Sequence, residues 1–127
     1  MITKPIPYGR QHITDEDIQC VIDALKSDYL TQGPKIKEFE EAFASYVGCK
    51  YAIAVNNATA GLHLAATALD VNLGDKVIVT PLTFAASANC IRYRGGEVVF
   101  CDVEEDTYLM DIKKLSRLLS QSPCPTL

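Results

Sequence analysis

Apolar and polar positions follow two different periods along this chain. After Thr14, the residues Ile18, Val21, Ile22 and Leu25 recur three or four positions apart, the spacing of one helix face. Thr14 and Asp17 form a carboxylate version of the capping box, and Asp15 and Glu16 add negative charge to the first turn. The Gly-Pro pair in "YLTQGPKI" breaks the pattern, and a second helix follows with Ile36, Phe39, Phe43 and Val47 on one face and Gly48 as its C-terminal cap. From Tyr51 onward the period changes. The short apolar runs "YAIAV", "DKVIVT" and "EVVFCDV" alternate with the helix-like stretches "TAGLHLAATALD" and "FAASANCIRYR". This alternation predicts βαβ units, an α/β fold and a mostly parallel sheet. A last helix, "MDIKKLSRLLSQ", has Asp111 as N-cap and Ile112, Leu115, Leu118 and Leu119 as its apolar face. The expected organisation is a helical segment over 1–50, alternating strands and helices over 51–121, and a Pro-rich tail over 122–127.

Length and composition narrow the function. With 127 residues the chain forms one domain or part of one. Sixteen acidic against twelve basic side chains give a net charge of −4, which offers no general attraction for nucleic acid or anionic lipid. A DNA-binding regulator is the weakest reading, since the chain shows neither a basic face nor a helix-turn-helix with groove-reading side chains. The opening "MITKPIPYGRQ" lacks a signal-peptide core, and no run approaches the roughly 20 apolar residues of a membrane span, so a cytoplasmic location is expected. Cysteines at 20, 49, 90, 101 and 124 include no C-x-x-C pair, so free thiols are expected and no metal site.

Two loops carry candidate chemistry. "NNATAG", residues 56–61, stands between an expected strand and an expected helix, where ligands collect in parallel α/β sheets. The first N–H groups of that helix lack intrahelical acceptors and sit at the positive end of the helix dipole, so the loop can hold a phosphate. Thr59 adds a hydroxyl, and Ala60 and Gly61 let oxygens approach the backbone. The same residues admit a plainer role, with Asn57 or Thr59 only capping the helix. In "TPLTFAASAN", Pro81 ends a strand, Thr83 is placed to cap the next helix, and Phe84 either covers a ligand or joins the core. His12 and His63 have no partner pattern, and the acids at 104–106 read as a solvated turn.

The ordered motifs "YLTQGP", "FEEAFASYVGCKYAIAVNNATAGLHLA", "GDKVIVTPLTFAASAN" and "VVFCDVEEDTYLMD" resemble the DegT/StrS group of sugar aminotransferases, from about Tyr8 to about Leu115. Within it the resemblance is strongest to transaminases of UDP-linked 4-keto-6-deoxy amino sugars in pseudaminic acid and surface-polysaccharide biosynthesis. It implies the N-terminal portion of an aspartate-aminotransferase-type large domain (PLP fold type I), with pyridoxal 5'-phosphate (PLP) as cofactor, glutamate as amino donor and a homodimer as assembly. Thr59 and Ala60 would contact the cofactor phosphate and Phe84 would stack on its ring. Tyr8, Asp28, Tyr29, Leu30, Thr31 and Ala58 would lie around the sugar nucleotide.

Transamination also needs a lysine bonded covalently to the cofactor and an acid paired with the ring nitrogen. The resemblance places both beyond this stretch of the family. None of Lys4, Lys26, Lys35, Lys37, Lys50, Lys76, Lys113 or Lys114 stands in the matching motif, and "SQSPCPTL" departs from the family pattern. The chain alone is therefore expected to be inactive. An alternative reading is a fragment that binds phosphate ligands or associates with itself through an exposed sheet edge.

Overall fold

Residues 7–121 are described by a computed structural model. The tail expected at 122–127 lies outside the described residues. The chain divides into two compact units, Met1–Ala54 and Val55–Leu127.

The first unit is helical. Helix α1, Asp15–Leu25, starts on the expected capping box: the Thr14 hydroxyl accepts from the Asp17 amide, while Asp17 Oδ2 accepts from the Thr14 amide at 2.8 Å. That bond from the Thr14 backbone, helped by the Thr14 hydroxyl, holds the Asp17 carboxyl below its usual range. Helix α2, Pro34–Val47, has Pro at its first turn and closes on Gly48 at φ 72, a left-handed cap that suits a residue without Cβ. Phe39 and Phe43 stack along one face with ring centroids 5.9 Å apart. Between the helices the chain turns sharply: Gln32 takes φ 52, and a Cβ on Gly33 would come within 2.8 Å of Tyr29 Cβ.

One expected strand is absent. "YAIAV" forms no ladder with any described residue, because a strand needs a neighbour for its backbone N–H and C=O groups. The Ala54 amide instead donates to Glu40 Oε1 at 2.8 Å.

The second unit holds the α/β part. Helix α3, Ala58–Ala68, leads through a turn to β1, Lys76–Val79; α4, Ala86–Arg92, then crosses to β2, Glu97–Phe100, which lies parallel to β1 with Val77 opposite Val98. Ala66, Val71, Cys90 and Ile91 form its buried core, against which Val77, Val79 and Val98 pack. Gly96 permits this closeness, since a Cβ there would meet Ile91 Cγ2 at 2.9 Å and Val71 Cγ1 at 3.0 Å. Arg94 ties α4 to the turn before β1, its Nε donating to the Val71 carbonyl at 3.0 Å. After β2, a turn with exposed acids is closed by an antiparallel bridge between Val103 and Met110. Asp111 then caps α5, Ile112–Gln121, as its Oδ1 accepts from the amides of Lys113 and Lys114. The α/β class holds, on a sheet of two strands among the described residues.

Candidate functional site

At the loop before α3 the structure identifies the capping residue. Asn57 is the cap: its Oδ1 accepts from the Ala60 amide at 2.9 Å, and its carbonyl takes the Gly61 amide. The amides of Ala58 and Thr59, and the Thr59 hydroxyl, have no acceptor among the described residues. Thr59 and Ala60 are half-buried. Charge sets this terminus apart from that of α1. Asp15, Glu16 and Asp17 neutralise the first turn of α1, whereas the first turn of α3 carries no acid. Its dipole therefore remains available to an external anion. The Ala60 amide, bonded to Asn57, is not one of these donors.

Phe84 lies between β1 and α4 and is 77% exposed, so the core reading for it fails. Thr83 does not cap α4: its hydroxyl pairs with the Ser87 hydroxyl at 3.0 Å, and α4 starts on Ala85 without a side-chain cap. Thr80, Thr83 and Ser87 line, with Leu62 of α3, an otherwise apolar groove of about 390 Å³. The groove is lined by α3 from Leu62 onward and by Thr83 of the loop after β1; Ala58, Thr59, Ala60 and Phe84 are not among its lining residues. Of the remaining candidates, Tyr8 and the Asp28–Thr31 bend lie exposed in the first unit, where the Ser27 hydroxyl bonds the Tyr29 carbonyl at 3.1 Å; Ala58 opens α3 in the second. His63 packs edge-on against Tyr93 at 5.3 Å, a helix-packing role.

A cluster that sequence reading missed stands after β2. Lys114 Nζ lies 2.8 Å from Asp102 Oδ2 and 3.8 Å from Asp111 Oδ2, while the Asp111 amide donates to the Asp102 carbonyl. The bond from Lys114 depresses the Asp102 carboxyl, backbone amides led by that of Lys114 depress Asp111, and Asp102 raises the Lys114 ammonium. Asp102 and Lys114 are twelve positions apart and in different elements, so no local spacing announces them. Beside them Cys101 is 1% exposed, and burial pushes its thiol up, away from nucleophilic use. Lys35 is likewise raised by its bond to Glu38.

The chain resembles several known proteins. The chain is 46% identical over 110 residues to the spore coat polysaccharide biosynthesis protein SpsC of Bacillus subtilis, covering 87% of this chain and 28% of that protein. It is 44% identical over 118 residues to the UDP-4-amino-4,6-dideoxy-N-acetyl-beta-L-altrosamine transaminase of Campylobacter jejuni, covering 92% of this chain and 31% of that one. Spr1654 of Streptococcus pneumoniae, solved in PLP and PMP forms, superposes with a TM-score of 0.84 at 38% identity over 88% of this chain and 29% of its own in the PLP form. The chain thus spans roughly 30% of the length of the curated relatives it matches. Residues 11–122 match one family model throughout, including both candidate loops and the acid–lysine cluster, so this chain belongs to the DegT/DnrJ/EryC1/StrS aminotransferase family, whose cofactor is PLP.

Proposed function

We propose that this chain supplies the cofactor-phosphate and ring-stacking parts of a PLP-dependent transaminase acting on a UDP-linked 4-keto-6-deoxy amino sugar, in pseudaminic acid or other surface-polysaccharide biosynthesis. One observation carries the reading: two amides and a hydroxyl without acceptors among the described residues, at a helix terminus without acids. The residues fit the group. The Ala58 and Thr59 amides and the Thr59 hydroxyl would hold the phosphate, Asn57 keeps the helix start rigid, and Phe84 would cover one face of the ring. When bound, PLP supplies an electron sink that lets an amino group move between carbon skeletons. Tyr8, Asp28–Thr31 and Ala58 would orient the sugar nucleotide, with glutamate as amino donor and a cytoplasmic homodimer as the working assembly.

The covalent step belongs to a lysine outside these 127 residues. Lys35 and Lys114 are ion-paired with Glu38 and Asp102, and the resemblance places the family's lysine motif elsewhere. The 127-residue chain by itself is a non-catalytic phosphate binder.

Two measurements test the reading. Titrating PLP into the chain should shift the NMR signals of the Ala58 and Thr59 amides first; saturating PLP that leaves both unmoved sinks the phosphate site. Replacing the matching stretch of the Campylobacter transaminase with this chain should give a folded, PLP-binding chimera. That chimera should convert glutamate to 2-oxoglutarate when given a UDP-4-keto-6-deoxy sugar. A folded chimera inactive on every nucleotide keto sugar would count against the substrate assignment.

A further inference from the structure

Phe84 is held in place by a single residue of α4. The Ser87 amide donates to the Phe84 carbonyl at 3.0 Å, and the Ser87 hydroxyl pairs at 3.0 Å with that of Thr83, the residue before Phe84. Ser87 thus grips the chain on both sides of the Phe84 Cα. It is itself fixed to the interior of the second unit: Ala86 before it is 5% exposed, and the thiol of Cys90, a member of the buried core, donates to the Ser87 carbonyl at 3.3 Å.

The bond to Thr83 replaces an ordinary one. A threonine just ahead of a helix usually offers its hydroxyl oxygen to a free amide of the first turn, yet α4 starts without any side-chain cap. The Thr83 hydroxyl goes to Ser87 instead, so helix stability is given up for a fixed path through residues 83–87. Local rules that fail in this way mark positions where function sets the geometry. A ring that covers one face of a cofactor works only at a set distance and tilt, and the direction of a side chain follows from its backbone. Two bonds to one anchored residue leave the Phe84 Cα–Cβ direction little freedom.

Given the ring-covering role of Phe84, on which this rests, we propose that the Thr83–Ser87 hydroxyl pair is the device that aims Phe84 at the cofactor ring. Thr83 and Ser87 are positioning residues: neither touches the cofactor, and both act through the aromatic side chain alone. The phosphate donors at Ala58 and Thr59 take no part in it.

The test uses the 127-residue chain and pyridoxamine 5'-phosphate, which lacks the aldehyde that would react with surface lysines. Thr83→Val and Ser87→Ala each abolish the hydroxyl pair and keep the amide bond to the Phe84 carbonyl, and alanine suits the helix. By calorimetry each should bind the ligand roughly three- to tenfold more weakly than the parent. Thr83→Ser keeps a hydroxyl and should bind like the parent. In a Phe84→Leu background, Thr83→Val and Ser87→Ala should change the affinity no further, because the ring they act through is gone. Ligand-induced shifts of the Phe84 ring protons should be present in the parent and reduced in both variants. The proposal fails if Thr83→Val or Ser87→Ala binds like the parent, if either weakens binding by the same factor without Phe84, or if the ring protons shift equally in Ser87→Ala and the parent. A parent that does not bind the ligand, or binds it with the Phe84 ring protons unmoved, overturns the ring-covering reading and this proposal with it. Should Ser87→Ala not fold, Thr83→Val against Thr83→Ser decides alone, and equal affinity in the two overturns the assignment.

Discussion

Asn57 and Thr59 stand two positions apart and carry separable tasks. Asn57→Ala removes the bond to the Ala60 amide and should cost about 1 kcal/mol of stability in the second unit, measured by urea unfolding. It leaves the donors offered to a phosphate in place. Thr59→Val keeps the side-chain shape, loses the hydroxyl, and should weaken PLP binding by roughly five- to thirty-fold with an unchanged unfolding midpoint. A Thr59→Val protein that loses stability but not affinity would reverse the two roles. At this scale the sequence was half legible. The six residues "NNATAG" show that a helix starts there and that small residues flank it. Which oxygen serves as the cap depends on a backbone turn that composition does not encode.

Among the elements, α5 depends most visibly on charge. Asp102 and Asp111 are both depressed, so they stabilise the folded chain above the ordinary carboxylate range, and that contribution is lost as pH falls through their lowered values. Lys114 is raised, so its contribution is full below its ordinary value and is lost as pH rises through the raised one. The protection of the α5 amides, taken relative to their intrinsic exchange rates at each pH, should therefore be greatest on a plateau between these limits and fall at both ends. Lys114→Met should flatten the alkaline limb and leave α1 unaffected. Helices α1, α2 and α5 were readable from period and caps because their determinants are local: Thr14, Gly48 and Asp111 all do as their positions suggest. The strand expected at Tyr51 was not, since an apolar run becomes a strand only beside a partner, and pairing is a property of distant residues. Thr83 failed as a cap for a similar reason, its hydroxyl being drawn to Ser87 one turn along.

For the whole chain the decisive quantity is the chemistry of its lysines. Incubating it with PLP, reducing with borohydride and mapping the peptides should show no single lysine labelled stoichiometrically, with Lys35 and Lys114 among the least modified. One uniquely labelled lysine together with turnover of a keto sugar would place the reacting centre within these residues and overturn the reading of a non-catalytic phosphate binder. Family membership is legible in the sequence because it rests on ordered motifs, whereas the bond between Lys114 and Asp102 joins residues twelve positions apart and shows only in the fold.

Cys101 turns the end of β2 into a clock. Its sulfur is sealed from solvent and donates to the Asp111 carbonyl at 3.7 Å, at the start of α5, whereas Cys20 and Cys49 are exposed. Alkylation by a small thiol reagent should modify Cys20 and Cys49 at once and reach Cys101 only in the moments when that junction opens. When closing outruns alkylation, the ratio of its rate to that of a free thiol is the open fraction itself. Following that ratio by peptide mass as PLP or a partner is added would measure, without any engineered label, how strongly each ligand fastens the carboxyl end of the sheet.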